Sequence, residues 1–229
     1  MSDDYQEQFW QSYAENHFWR LNDKSRVKEN SVYYDPIYDP ILPPDRSIRI
    51  FDVGCGGGHF LYYLIRKGYR NITGIDISPG LVKFVKEEIW HDVVEGDALT
   101  YLSQHKNQFD VIVANDFIEH LRKRSIIRFL FLSREALKDG GLLFLKTPNM
   151  SNIFASRHRY VDFSHEVGFT EYSIYEVCRA AKFSDVVVQS DLPTKREPKL
   201  FKRIRKIYLD LGVFPPTVLS TNLLVKCTK

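Results

Sequence analysis

The sequence predicts an α/β protein with an open, doubly wound and mostly parallel sheet, with helices on both faces. Three observations support this prediction. Apolar segments of strand length alternate along the chain with longer segments of helical periodicity. The strand segments are continuous apolar runs, which is typical of strands buried on both faces. The alternation favours right-handed crossovers between parallel strands.

The elements follow from these runs. Strands are predicted at 48–53, 71–76, 92–95, 109–115, 141–147, 184–190 and 222–227, and helices at 58–67, 79–90, 99–106, 123–138 and 171–182. The acidic and aromatic residues 1–30 are predicted to be helical. Residues 33–47 contain four prolines. Because proline lacks an N–H and disfavours helix at the preceding residue, this segment is predicted to be an extended linker.

The chain is expected to form one domain over 1–229. Its parts are an N-terminal lid and linker at 1–47, a ligand-binding core at 48–190, a basic helical insertion at 191–221 and a last strand at 222–229. The length suits one α/β domain with appendages and is too short for two large domains.

The composition is that of an ordinary globular chain, with 44% apolar and 27% charged residues, which excludes long-range disorder. No window approaches 18 uninterrupted apolar residues, and the first twenty residues show no secretory signal, so a cytoplasmic protein is expected. Three cysteines without a CxxC pair predict neither a disulfide frame nor a zinc site. No metal is expected.

Positive charge is concentrated in one segment. Residues 195–206 carry a net charge of +6, which leaves −3 for the rest of the chain. At helical spacing, residues 199–211 form an amphipathic helix with one basic face. Three interpretations stay open: a helix packed on the core, a surface that recruits an anionic substrate, or a peripheral contact with the inner face of an anionic membrane. Nucleic-acid binding is not expected, because the basic segment lacks interleaved aromatic residues.

A glycine-rich turn follows the first predicted strand. Gly54, Gly56 and Gly58 form G-x-G-x-G between a strand and a helix, where glycine lets the backbone approach a ligand closely. The next strand ends at Asp76, and an acid at this point typically accepts hydrogen bonds from a ribose. The order of strand, turn, helix, strand and acid therefore predicts a bound nucleoside.

The turn also restricts which nucleoside fits. A dinucleotide fingerprint would need a third glycine at position 59, where this chain has His59. Asp52 lies just before the turn. A carboxylate there would repel a pyrophosphate and suits a ligand with an ammonium group.

At this point the sequence resembles the class I S-adenosylmethionine-dependent methyltransferases. The resemblance covers roughly 48–190 and rests on D-V-G-C-G-G-G at 52–58, G-I-D-I-S around Asp76, G-D-A at 96–98, F-D-V-I-V-A-N-D-F-I-E-H at 109–120 and K-D-G-G-L-L-F-L at 138–145. It implies a Rossmann-like sheet of seven strands with an antiparallel last strand, and S-adenosyl-L-methionine as the cofactor.

The resemblance also implies roles for individual residues. The three glycines would pass under the methionine portion of the cofactor, and Asp76 would hold both ribose hydroxyls. Ile77 would pack on the adenine, beside Asp97 and Ala98. Asp52 and the Asn115 carbonyl would lie near the amino group. A second interpretation of Asp97 is an N-cap for the following helix.

Histidines supply the candidate catalytic groups, because imidazole is the natural base near neutral pH. His120 ends the F-I-E-H motif and would face the cleft. Residues 162–170 resemble a loop of methyltransferases associated with surface-glycan biosynthesis, with His165 as a second candidate base and Asp162 as its orienting acid. Thr170 is interpreted as a plain N-cap.

The predicted function is O-methylation of a sugar, glycan-linked or small-molecule hydroxyl, with an anionic acceptor such as a nucleotide-sugar. N- or C-methylation stays open, as does a non-catalytic S-adenosylmethionine-binding subunit. The sequence does not predict the oligomeric state.

Overall fold

The computed structural model of the protein describes residues 8, 23–152, 155–191, 203, 206–207, 209–210 and 220–229. Most of the predicted N-terminal lid lies outside these residues, as does most of the basic insertion.

Seven strands form a single sheet in the order β3-β2-β1-β4-β5-β7-β6. Strands β1 to β5 pair in parallel, and β7 lies antiparallel between β5 and β6. The predicted fold class is therefore confirmed, including the antiparallel last strand. The strands are β1 Ile50–Val53, β2 Ile72–Asp76, β3 Val93–Glu95, β4 Phe109–Asn115, β5 Leu137–Pro148, β6 Asp185–Ser190 and β7 Asn222–Thr228.

Helices connect the strands close to their predicted positions. They are α1 Lys24–Ser31, α2 Asp35–Tyr38, α3 His59–Arg66, α4 Pro79–Glu88, α5 Ala98–Ser103, α6 Lys123–Ala136, α7 Ala155–Tyr160 and α8 Glu171–Ala180. Short 3-10 turns lie at Val32–Tyr34 and Ile118–His120. The N-cap predicted for Thr170 is confirmed, because its side chain accepts a hydrogen bond from the Ser173 N–H.

The prediction of an extended linker at 33–47 was wrong for the first part of that segment. Residues 32–38 form a 3-10 turn followed by α2. Pro36 lies in the first turn of α2, where a missing N–H removes no helical hydrogen bond. Tyr38 is fully buried, and its ring packs against Phe60 and Phe144. Burial of aromatic side chains therefore outweighs the preference of a proline-rich sequence for extended structure.

The core lies on both faces of the sheet. Alternate residues of β1 belong to two different apolar clusters, with Phe51 and Val53 in one and Ile50 in the other. Successive side chains of a strand point to opposite faces, so both faces of the central strands are covered. Because β1 pairs in parallel with β2 and β4, the carboxyl ends of these three strands lie at the same edge of the sheet.

The described part of the basic insertion is small. Arg203, Lys206, Ile207, Leu209 and Asp210 are helical and exposed. The predicted amphipathic face as a whole lies outside the described residues. Within the described ranges, no helix combines the length and the apolar character that crossing a membrane requires.

Candidate active site

A cleft of about 830 Å³ opens at the carboxyl edge of the sheet. Ligands of open α/β sheets bind at this edge, where the order of the strands reverses. The structure brings nearly all of the predicted site residues to this cleft. Its lining includes Asp52, Gly54, Gly56, Asp76, Ile77, Asp97, Ala98, Asn115, His120, Asp162 and His165.

The glycine turn forms the floor of one end of the cleft. Gly56 has a φ of +52°, and a Cβ built there would meet no atom within 4 Å. It borders the space in which a ligand would lie. Gly58 was predicted to lie under the cofactor with the other two glycines, but it is absent from the cleft lining. A Cβ at Gly58 would lie 3.2 Å from Val85 and 3.3 Å from Ile89, so this glycine permits the packing of α3 against α4.

Asp76 is held in a fixed orientation at the end of β2. Its Oδ2 accepts a hydrogen bond from the Gly56 N–H at 2.8 Å, and its Oδ1 accepts one from the Ser78 N–H at 2.9 Å. Burial raises the pKa of Asp76, although these backbone N–H groups act in the opposite direction. Each oxygen keeps a further acceptor position, which suits a vicinal diol.

Asp52 is a buried carboxyl group at the end of β1. The residue is 1% exposed, and its Oδ2 has no hydrogen-bond partner among the described residues. Burial and the neighbouring Asp76 raise its pKa to about 8. A buried polar atom without a partner is costly. A cationic ligand in the cleft would satisfy this oxygen, so the site fits an ammonium-bearing cofactor.

Other residues of the cleft lining make both predicted and unpredicted contacts. The Asp97 Oδ1 accepts a hydrogen bond from the Thr100 N–H at 2.7 Å, which confirms the N-cap interpretation, and Asp97 also lines the cleft. The Asn115 Oδ1 accepts one from the Tyr38 hydroxyl at 2.5 Å. Tyr34 also lines the cleft. The helical segment before β1 therefore supports the site, which the predicted linker did not indicate.

His120 has a defined tautomer. The backbone N–H and the hydroxyl of Ser164 both donate to Asp162 Oδ1, at 2.9 and 2.6 Å. The Ser164 Oγ therefore accepts from His120 Nδ1, which lies 2.8 Å away. Nδ1 carries the proton, and Nε2 carries the lone pair. Burial lowers the pKa of His120, with a smaller contribution from His165, whereas Asp162, Asp116 and Ser164 act in the opposite direction.

His165 lies beside His120, with the ring centroids 4.9 Å apart. Two main-chain hydrogen bonds position its segment: Glu166 N–H and Val167 N–H both donate to the Glu119 carbonyl, at 2.8 and 3.0 Å. Arg159 donates to the His165 carbonyl. The two candidate bases, far apart in sequence, thus form one pair beside the cleft. Asp162, predicted to orient His165, reaches His120 through Ser164.

Sequence reasoning missed a group of charged residues beneath this pair. Glu119 is 2% exposed, and its Oε2 accepts a hydrogen bond from the Thr147 hydroxyl at 3.1 Å. Its Oε1 has no partner among the described residues. Burial and Asp116 raise the pKa of Glu119 to about 8, against the effect of Lys146. Lys146 is itself buried and donates to both oxygens of Asp116.

Comparisons with known proteins agree with this geometry. Residues 27–186 match the family model described as a methyltransferase domain. The mitochondrial ubiquinone biosynthesis O-methyltransferase of Rattus norvegicus is 28% identical over 135 residues, which cover 56% of this chain and 38% of that protein. The ubiquinone biosynthesis O-methyltransferase of Xylella fastidiosa is 32% identical over 114 residues, which cover 46% and 44%. The chain thus spans less than half the length of these curated relatives.

Solved structures share the fold. A SAM-dependent methyltransferase from Archaeoglobus fulgidus superposes with a TM-score of 0.69 at 20% identity, covering 93% of this chain and all of that one. Phosphoethanolamine N-methyltransferase 2 of Haemonchus contortus, in complex with S-adenosyl-L-methionine, gives 0.61 at 15% identity, covering 96% and 59%.

The sheet order, the glycine turn and the acidic residues at the carboxyl ends of β1 and β2 define the class I architecture of S-adenosylmethionine-dependent methyltransferases. Because the matching model covers more than half of its residues, the chain belongs to the methyltransferase domain family, and its cofactor is S-adenosylmethionine.

Proposed function

We propose that this chain transfers the methyl group of S-adenosylmethionine to a hydroxyl oxygen, and that His120 or His165 removes the hydroxyl proton. The observation that supports this most strongly is the chain of hydrogen bonds from His120 through Ser164 to Asp162. With Nδ1 as the donor in this chain, Nε2 is the nitrogen that would accept the hydroxyl proton. A hydroxyl oxygen becomes a good nucleophile when such a base removes its proton, whereas a neutral amine nitrogen is nucleophilic without one.

The other end of the cleft would hold the cofactor. Asp76 would accept from both ribose hydroxyls, and Asp52 would pair with the ammonium group. Asp97 and Ala98 would lie beside the adenine, with Ile77, which is 47% exposed, against its face. The bound cofactor supplies a methyl group on a positively charged sulfur. Fixing it at one end leaves the acceptor to approach from the side of the histidine pair.

The two histidines would act differently. The hydrogen bonds described above favour His120 as the base, because its tautomer and orientation are fixed. His165, predicted from the sequence as the leading base, would contact the acceptor from the neighbouring segment. In either arrangement the imidazole would take the hydroxyl proton and pass it to water, while the cofactor would supply the methyl group and leave as the neutral thioether when its carbon–sulfur bond breaks.

The acceptor is proposed to be a small hydroxyl compound. The curated relatives are named as O-methyltransferases of ubiquinone biosynthesis, which supports oxygen as the accepting atom. A sugar or glycan-linked hydroxyl, predicted from the segment at 162–170, remains a proposal alongside a phenolic one. Arg122 and Arg124 line the cleft, which supports an anionic acceptor.

A direct test is methyl transfer from labelled cofactor to two matched acceptor panels, one of catechols and other phenols and one of nucleotide-sugars. His120→Ala and His165→Ala would be compared with His91→Ala, a control at an exposed histidine. The proposal predicts oxygen-methylated product and a loss of turnover of about 100-fold in one of the two site variants. Transfer only to amines, or full turnover in both variants, would contradict it.

A further inference from the structure

We infer that the hydroxyl group of Tyr34 contacts the positively charged sulfur centre of the bound cofactor, so that the site distinguishes S-adenosylmethionine from its neutral thioether product, S-adenosylhomocysteine. Tyr34 ends the 3-10 turn Val32–Tyr34 and lines the cleft together with Asp52, Phe60 and Asp116. As part of a predicted linker, this tyrosine had no predicted role in the site.

An aromatic cluster fixes the position of the Tyr34 ring. The ring centroid lies 5.1 Å from that of Phe60, at an interplanar angle of 77°, and 6.0 Å from those of Tyr38 and Tyr63. Edge-to-face pairs of this kind favour a defined arrangement of the rings. Because Phe60 belongs to α3, which begins directly after the glycine turn, the cluster holds Tyr34 beside that turn.

The Tyr34 hydroxyl differs from those of its neighbours in the cluster. Three neighbouring hydroxyls each donate a hydrogen bond to a side-chain oxygen: Tyr33 to Asp191, Tyr38 to Asn115 and Tyr63 to Asp39. Among the described residues, none accepts a hydrogen bond from the Tyr34 hydroxyl. The protein thus leaves this hydroxyl available to a ligand in the cleft.

Two carboxyl groups lie near the Tyr34 hydroxyl. Burial raises the pKa of Tyr34 most, and Asp116, Asp52 and Tyr33 raise it further. The phenol therefore keeps its proton near neutral pH. Because this proton can turn toward the carboxyl groups, the lone pairs of the oxygen are free to face a cation.

The covalent structure of the cofactor indicates where its sulfur would lie. The sulfur joins the ribose to the amino-acid chain, and a short carbon chain separates it from the amino group. With the ribose at Asp76 and the ammonium group at Asp52, as proposed above, the sulfur lies between these two acids. Asp52 is close enough to Asp76 and to Tyr34 to share electrostatic effects on pKa with both. Tyr34 is therefore in reach of the sulfur centre, and the inference rests on this part of the proposed function.

Such a contact acts on only one form of the cofactor. The methyl hydrogens of a sulfonium are polarised by its positive charge and attract an oxygen lone pair. The product has no such methyl group, and its sulfur is neutral because the electron pair of the broken carbon–sulfur bond stays on it. The site should therefore bind S-adenosylmethionine more tightly than the product, which favours the exchange of product for new cofactor after each transfer.

The test is titration calorimetry of the full chain at pH 7, with S-adenosylmethionine and with S-adenosylhomocysteine in separate titrations. Tyr34→Phe removes the hydroxyl and keeps the ring in its cluster. We expect this variant to bind S-adenosylmethionine about fivefold more weakly and the product within about twofold of wild type. Tyr33→Phe is the matched control, because Tyr33 belongs to the same turn and is absent from the cleft lining. It should leave the ratio of the two Kd values unchanged.

Asp52→Asn separates the inference from the proposed function. Both ligands carry the amino group, so this variant should bind both more weakly. If it binds both as wild type does, the proposed ammonium site is wrong, whereas a loss confined to S-adenosylmethionine in Tyr34→Phe would still support the contact with the sulfur centre. The inference is overturned if Tyr34→Phe weakens both ligands equally or neither of them, or if Tyr33→Phe changes the ratio as much as Tyr34→Phe does.

Discussion

The buried carboxyl group of Asp52 predicts that cofactor binding depends on pH. Its pKa of about 8 in the free protein means that roughly nine-tenths of the molecules carry its proton at pH 7. An ammonium group pairs with the ionised carboxylate, so binding must expel this proton. Between pH 6 and 7 the Kd for S-adenosylmethionine should therefore fall by up to about tenfold, equivalent to 1.36 kcal/mol.

The direction of the effect reverses at higher pH. Above about pH 8 the amino group of the ligand loses its own charge, so affinity should decline again. Titration calorimetry in two buffers of different ionisation enthalpy measures the proton directly, and about 0.9 proton should be released per cofactor bound at pH 7. Asp52→Asn is the matched control, because its amide has no proton to release. A flat Kd in the wild type, or equal proton release by Asp52→Asn, would refute the reasoning.

Three other predictions concern the fold and the site. Gly58→Ala should lower the thermal unfolding midpoint more than Gly140→Ala. Both glycines have a left-handed φ, where an alanine costs about 1–2 kcal/mol in backbone strain, but only a Cβ at Gly58 would meet atoms 3.2 Å away. Equal shifts of the unfolding midpoint in the two variants would contradict this packing role. Ser164→Ala should reduce kcat about tenfold, measured at saturating cofactor, because the Nδ1 proton of His120 loses its acceptor, whereas the Kd of the cofactor should not change. A thiol reagent followed by mass spectrometry should label two fully buried cysteines only after unfolding, Cys178 and Cys227.

Much of the fold could be predicted because it is encoded locally. A buried parallel strand shows itself as a continuous apolar run, and all seven predicted strands exist. The boundaries were less predictable. Strand β5 begins at Leu137 rather than at 141, because Leu137 pairs with Phe109 before the register shift between Phe109 and Val111. No pattern within one strand reveals the partner that extends it.

The residues of the site, like the elements of the fold, could be predicted where the sequence signal is local and not where it depends on distant segments. The positions of Gly54, Gly56 and Asp76 at the cleft could be predicted, because a tight turn after one strand and an acid at the end of the next strand lie within about 25 residues of each other. The packing role of Gly58 could not, because its neighbours Val85 and Ile89 lie further along the chain. The contacts of Tyr38 with Asn115 and of Glu119 with Thr147 join residues 77 and 28 positions apart. Long-range pairs of this kind depend on the complete sheet, so the pattern around either residue gives no signal for them.

Two buried acids are in the same physical situation, Asp52 in the lining of the cleft and Glu119 next to the cleft-lining His120. Asp52 and Glu119 are each almost fully buried, each has one carboxylate oxygen without a partner among the described residues, and each has a pKa raised to about 8. Folding places these groups against their own preference for water, at a cost in stability. The ammonium group of the cofactor would offset that cost at Asp52, so the bound cofactor should raise the unfolding temperature of the protein.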